Sequence, residues 1–194
     1  MKSKSILLVS FLIFSGWFIV NAQSVSYTNP ETLKSFLPTI KEFRLGLKDM
    51  ATWTFIQDKK FPFTMRTYYK NNQKVIIKIT DAHYEPIAYR NYYFYADMRN
   101  NPGGKNDKFS SFIINDIKVY VHNKVQQKII RGIVLIGNRY IVEAAISPAK
   151  DTVLLAEVMK RIDFQRLSET NNPVMYSKMD FREKTDRTAK PKEE

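Results

Sequence analysis

Residues 81–85, Asp81-Ala82-His83-Tyr84-Glu85, carry the densest group of side chains able to do chemistry. On a strand, Asp81, His83 and Glu85 share one face. Two carboxylates and an imidazole placed so hold a divalent metal or orient a base, which is the reading of a hydrolase or metal-dependent enzyme. The competing reading is three polar residues where a strand runs out into a loop. His122 has no partner at metal-ligand spacing. HExxH, CxxC and G-x-S-x-G patterns are missing. Gly103-Gly104-Lys105 lacks the spacing and the Ser/Thr of a phosphate loop, and Asp97 and Asp116 are too scattered to pair with the other acids. The sequence therefore assigns no catalytic residue, no metal ligand and no cofactor, and a non-enzymatic protein is the first expectation.

Basic residues give the stronger pattern. Between positions 59 and 78 stand Lys59, Lys60, Arg66, Lys70, Lys74 and Lys78 with no acid among them. Strand alternation puts Arg66, Tyr68 and Lys70 on one parity and Lys74, Ile76 and Lys78 on another, while Lys118 and Tyr120 oppose Ile117, Val119 and Val121. Arg66, Lys70, Lys74, Lys78, Lys118 and Tyr120 are thus the candidate contacts. Such a face attracts an anionic glycolipid or polysaccharide, or an envelope protein of matching charge; an ordinary solvated face is the plain alternative. Tyr84, Tyr89, Tyr92, Tyr93 and Tyr95 with Phe94 add an aromatic cluster suited to stacking on sugars or to covering a core.

These residues need elements to position them. Thr28-Asn29-Pro30-Glu31 starts a helix with a capping side chain and Pro in its first turn, and Pro38 ends or kinks it. Residues 63–70 and 74–81 form a hairpin across Asn71-Asn72-Gln73. Tyr89, Tyr92, Tyr93 and Ala96 have helical spacing after Pro86, and residues 100–104 break the chain. Strands are expected at 109–114, 117–122, 125–136 and 139–146, turning at Asn115-Asp116, Asn123-Lys124 and Gly137-Asn138. Ser147-Pro148 then introduces a helix with Leu154, Leu155, Val158, Met159 and Ile162 on one stripe. The sum is an α+β fold, an antiparallel sheet of about five or six strands flanked by helices.

Residues 1–22 have the layout of a secretory signal peptide: Lys2 and Lys4, an apolar run from Ile6 to Val20, and small residues at Val20 and Ala22 before Gln23. The run, about fifteen residues, is shorter than the roughly twenty of a spanning helix. A single domain over 23–170 and a disordered polar tail over 171–194 follow. The chain has no cysteine, which removes disulfides, thiolate metal sites and a cysteine nucleophile. Its formal charge is +12, two of which belong to Lys2 and Lys4. Export to the periplasm or beyond, with no stable membrane span after cleavage, argues against nucleic acid as the anionic partner. A structural envelope subunit docking through the tail after Asn171 is a further expectation.

The run Ile129-Ile130-Arg131-Gly132-Ile133-Val134-Leu135-Ile136-Gly137-Asn138-Arg139-Tyr140-Ile141-Val142-Glu143, followed by a helix and Ile162-Asp163-Phe164 with Leu167, resembles a group of small exported bacterial proteins of unknown function. Leu33 to Pro38 is similar to their "L-x-x-x-L-P" opening and Ile77 to Asp81 to their "v-x-I-x-D" strand. The chain lacks the Gly-Trp that often follows the opening, and it is richer in Tyr and Lys. The resemblance implies a PsbP-like α/β/α sandwich, a binding or assembly role, and no catalytic set.

Overall fold

Short asparagine-bearing turns set the architecture. Asn115 and Asp116 both take left-handed φ, 46° and 63°, the geometry of a two-residue type I′ turn. They join β5 (Asp107–Ile114) to β6 (Ile117–Lys124) with Ile114 opposite Ile117. Asn71, φ 53°, turns β3 (Lys59–Lys70) into β4 (Gln73–Asp81). Gly137 and Asn138, also left-handed, turn β7 (Ile129–Ile136) into β8 (Tyr140–Ser147). The computed structural model describes residues 27–46, 49–98 and 104–170; the expected leader and tail lie outside them.

All strands join one antiparallel sheet in the order β1-β3-β4-β8-β7-β6-β5, with β1 (Arg44–Leu45) and β2 (Met50–Ile56) both pairing with β3. The sheet has eight strands, more than the five or six expected. β1 and β2 escaped the sequence reading, and β3 begins earlier than residue 63. Pro62 and the paired lysines 59 and 60 weaken the strand signal there. Pro62 is tolerated because the β3–β4 register starts one residue later, at Phe63 opposite Thr80. Residues 125–128, expected as strand, form a turn, in which Lys128 N–H donates to the Val125 carbonyl.

Residues opposite one another in the register share a face. Tyr68, Val75, Ile146 and Ile130 form one such row, all fully buried. Over this first face lie α1 (Pro30–Lys34), α3 (Val153–Lys160) and α4 (Phe164–Glu169), contributing Leu33, Leu155, Val158, Met159, Phe164 and Leu167 to the main core. Asn29 Oδ1 accepts from the Glu31 amide at 2.9 Å, the expected cap of α1. A smaller core on the second face joins Phe61, Tyr120, Ile133 and Ile141 to a 3-10 turn (Pro86–Tyr89) that leads into α2 (Arg90–Met98). The tyrosine segment is helical as expected, but its inner stripe runs through Tyr89, Tyr92, Tyr95 and Ala96, leaving Tyr93 exposed. Among the described residues no helix is long and apolar enough to cross a membrane.

Gly132 lets α3 sit directly on β7. A Cβ built there stands 3.1 Å from Leu155 Cδ2 and 3.3 Å from Val119 Cγ1. Gly132→Val should therefore lower unfolding stability by about 1–3 kcal/mol through overpacking, read as a fall in the urea midpoint at unchanged slope.

Candidate functional site

Asp81 ends β4 with no exposed surface, and its carboxylate is spent inside the fold. Arg139, 7 % exposed, reaches it from the β7–β8 turn with both prongs of the guanidinium: Nε to Oδ1 at 3.0 Å and Nη2 to Oδ2 at 2.7 Å. The Thr28 amide donates to Oδ2 at 2.7 Å and the His83 amide to Oδ1 at 3.0 Å. Four donors saturate the two oxygens, which is what a buried carboxylate requires. Burial alone would lower the Arg139 pKa; the hydrogen bonds and charge of Asp81 outweigh it and raise it. Thr28 Oγ1 accepts from Arg139 Nη2 at 3.2 Å and lies 2.9 Å from Tyr140 Oη, which is also 3.2 Å from Thr170 Oγ1. One ion pair thus gathers the first and last described turns of the chain.

The other two members of the expected cluster do not join it. β4 stops at Asp81, and His83 and Tyr84 take left-handed φ of 44° and 61°, so the alternation that would align 81, 83 and 85 is lost. Glu85 turns to Lys59 instead. The His83 ring packs between Tyr27 and Tyr84, with centroids at 4.9 and 5.5 Å. Burial holds its pKa below the usual value, and its Nδ1 is buried without a hydrogen-bond partner. Among the described residues no three His, Asp or Glu side chains are grouped to hold a metal. His122 stacks on Phe109 at 4.4 Å and places Nε2 2.7 Å from Asp107 Oδ1, a closed pair at the β5–β6 end.

The six basic-face candidates separate. Arg66 lies on the core face, where Nε and Nη2 donate to Asp49 at 2.8 and 2.6 Å and Nη1 donates to the carbonyls of Leu37 and Pro38. Tyr68 Oη also donates to Pro38, and burial pushes its pKa up to about 12. Together they tie the loop after α1 and the segment between β1 and β2 to β3. Lys70 shares that parity and lies over Phe43, beside Glu157 and Arg161. Tyr120 is buried on the second face under Tyr92 of α2. Lys118 precedes it on β6, three strands from β4. Lys74 and Lys78 alone stay together, on the second face of β4.

The register adds what the sequence reading missed. Ile76, between those lysines, opposes Ala145, and Ala145 opposes Arg131 of β7. Arg131 is exposed on that face and lies near Tyr95, whose pKa burial raises and the Arg131 charge offsets in part. Glu143, 4.0 Å from Lys78, is the acid in this block among the described residues. Position 131 sits in an apolar run, and only the pairing of β7 with β8 brings it beside β4.

Compared with protein-family models, curated proteins and solved structures, the chain matches none. The site's own geometry generates two tests. Asp81→Leu leaves Arg139 buried without its counter-ion and should cost about 3–5 kcal/mol, while Asp81→Leu with Arg139→Leu should recover part of that loss; chemical denaturation of the three proteins measures it. Asp49 is held below the usual carboxylate range, chiefly by hydrogen bonds from Arg66. Stability from a depressed carboxylate is complete above the unfolded-state value and is lost as pH falls through the lower folded-state value. Melting temperature followed from about pH 5 to well below pH 4 should consequently fall less steeply for Asp49→Asn than for the parent.

Proposed function

We propose that this chain is an exported, non-enzymatic binding module of the bacterial cell envelope whose partner is an anionic glycan-type polymer. The observation that carries the reading is the Lys74, Lys78 and Arg131 group on the second sheet face. Lys74 and Arg131 are exposed, Lys78 is half-buried, and Glu143 is the acid set among them. α2 packs on β6 and β7, to one side of the lysines on β4. Lys74 and Lys78 lie four residues apart along β4, about 13 Å, and Arg131 lies two strands away, about 10 Å from β4; cations spread so over one face suit a chain of repeated phosphates or carboxylates better than a small substrate. The two acids of the expected 81–85 cluster support the same reading, because Asp81 and Glu85 each face a basic partner within the fold.

Two sequence features support it further. Residues 1–22 have the signal-peptide layout that would bring the domain to the envelope. The resemblance of residues 129–143 and their flanks to exported proteins with a PsbP-like sandwich carries the expectation of a binding or assembly role.

The two faces give the test its control. Lys74→Glu with Lys78→Glu should elute from an acidic-polysaccharide matrix at markedly lower salt than the parent, since such contacts are screened over about 10 Å at 0.1 M. Lys70→Glu with Lys160→Glu makes the same charge change on the opposite side of the sheet and should stay near the parent. Equal shifts for both variants would mean that net charge alone governs retention and would contradict the reading.

A further inference from the structure

At the free edge of the sheet α1 covers β2 only in part. β2 contains no charged residue, and Trp53 and Phe55, whose register partners are Pro62 and Lys60, are 38 % and 69 % exposed. Lys60 Nζ lies over the Trp53 ring at 4.9 Å, and Lys59 follows the Gln57-Asp58 turn. Large exposed aromatics beside lysines are the composition of a surface that meets the headgroup region of a bilayer.

The position of this corner says which occupant it fits. The described chain begins at Tyr27, and the Tyr27 ring packs edge-on against Trp53 at 5.8 Å. Only residues 21–26 separate Tyr27 from the apolar run ending at Val20. Six residues span at most about 20 Å. Until the leader is cleaved before Gln23, a run handed to a membrane therefore holds the Trp53 corner within that distance of the lipid surface. Exposed Lys60 and the formal net charge of +12 match an anionic surface. The geometry points to Trp53, Phe55 and Lys60 as a docking patch for an anionic phospholipid bilayer. The delivery argument rests on the export reading above; the patch itself is separate from Lys74, Lys78 and Arg131.

Trp53 reports on its own contact. The chain has two tryptophans, Trp17 and Trp53, so Trp17→Phe in the full chain leaves Trp53 as the single emitter whether or not the leader is removed. The protein would be expressed from its start codon in a bacterial host and recovered by fractionation, and its N-terminus read by mass. Vesicles containing phosphatidylglycerol should shift Trp53 emission to the blue, and brominated acyl chains in them should quench it; phosphatidylcholine vesicles should do neither. Phe55→Ser and Lys60→Glu, both at exposed positions, should each weaken the vesicle response, the charge reversal by about tenfold. Absence of quenching in a folded chain overturns the patch. So does quenching that neither variant changes, which would assign the contact to a retained leader. Self-association through β2 that Phe55→Ser abolishes, without any vesicle response, overturns it in favour of strand pairing. A chain that stays cytoplasmic with its leader intact overturns the export reading instead, and the vesicle measurement on it still decides the patch.

Discussion

The buried Asp81–Arg139 pair is the constraint on which the rest of this structure depends. A carboxylate with no exposed surface is tolerated only when each oxygen is matched, and here the matching groups come from three separate stretches of chain. Arg139 brings the β7–β8 turn, His83 the departure from β4, and Thr28 the segment before α1. Tyr140 extends the network to Thr170 after α4. The pair sets where the sheet's central strands end and where both ends of the described chain lie. The Arg66–Asp49 pair does the same work at the other edge, where Arg66 also holds the carbonyls of Leu37 and Pro38.

These closures explain why so basic a protein keeps only part of its charge free. Arg66 and Arg139 are consumed by the interior, and Lys59 by Glu85. What remains outside is divided by the sheet: Lys70 on the face that α1, α3 and α4 cover, Lys74, Lys78 and Arg131 on the open part of the other. The exposed cations of the second face are thereby grouped in one region, whereas at the β2 edge a single lysine, Lys60, stands among exposed aromatics.

Much of the scaffold was legible in the sequence because its signals are local. Asn115-Asp116 and Gly137-Asn138 announced turns through residues that accept left-handed φ. The α1 cap, the α2 helix and the Leu155, Val158 and Met159 stripe followed from spacing alone. The long-range parts were not legible. Arg139 meets Asp81 across 58 positions, so the acid looked available for catalysis when it was already paired. Alternation past Asp81 assumed that β4 continued, whereas two left-handed residues stop it. β2 was hidden because its strand signal abuts Asp58, Lys59, Lys60 and Pro62, which local propensity reads as loop. Arg131 joined the basic face only through the order of strands in the sheet.

Hydrogen exchange at the Thr28 amide tests the central claim most directly. An N-terminal amide that merely precedes the first helix exchanges at the rate of an exposed peptide group. One that donates to the buried Asp81 carboxylate should be protected to nearly the level of the central β4 and β8 amides, and should lose that protection in Asp81→Leu. A Thr28 amide exchanging as fast as an unstructured terminus in the unmodified protein would contradict the account.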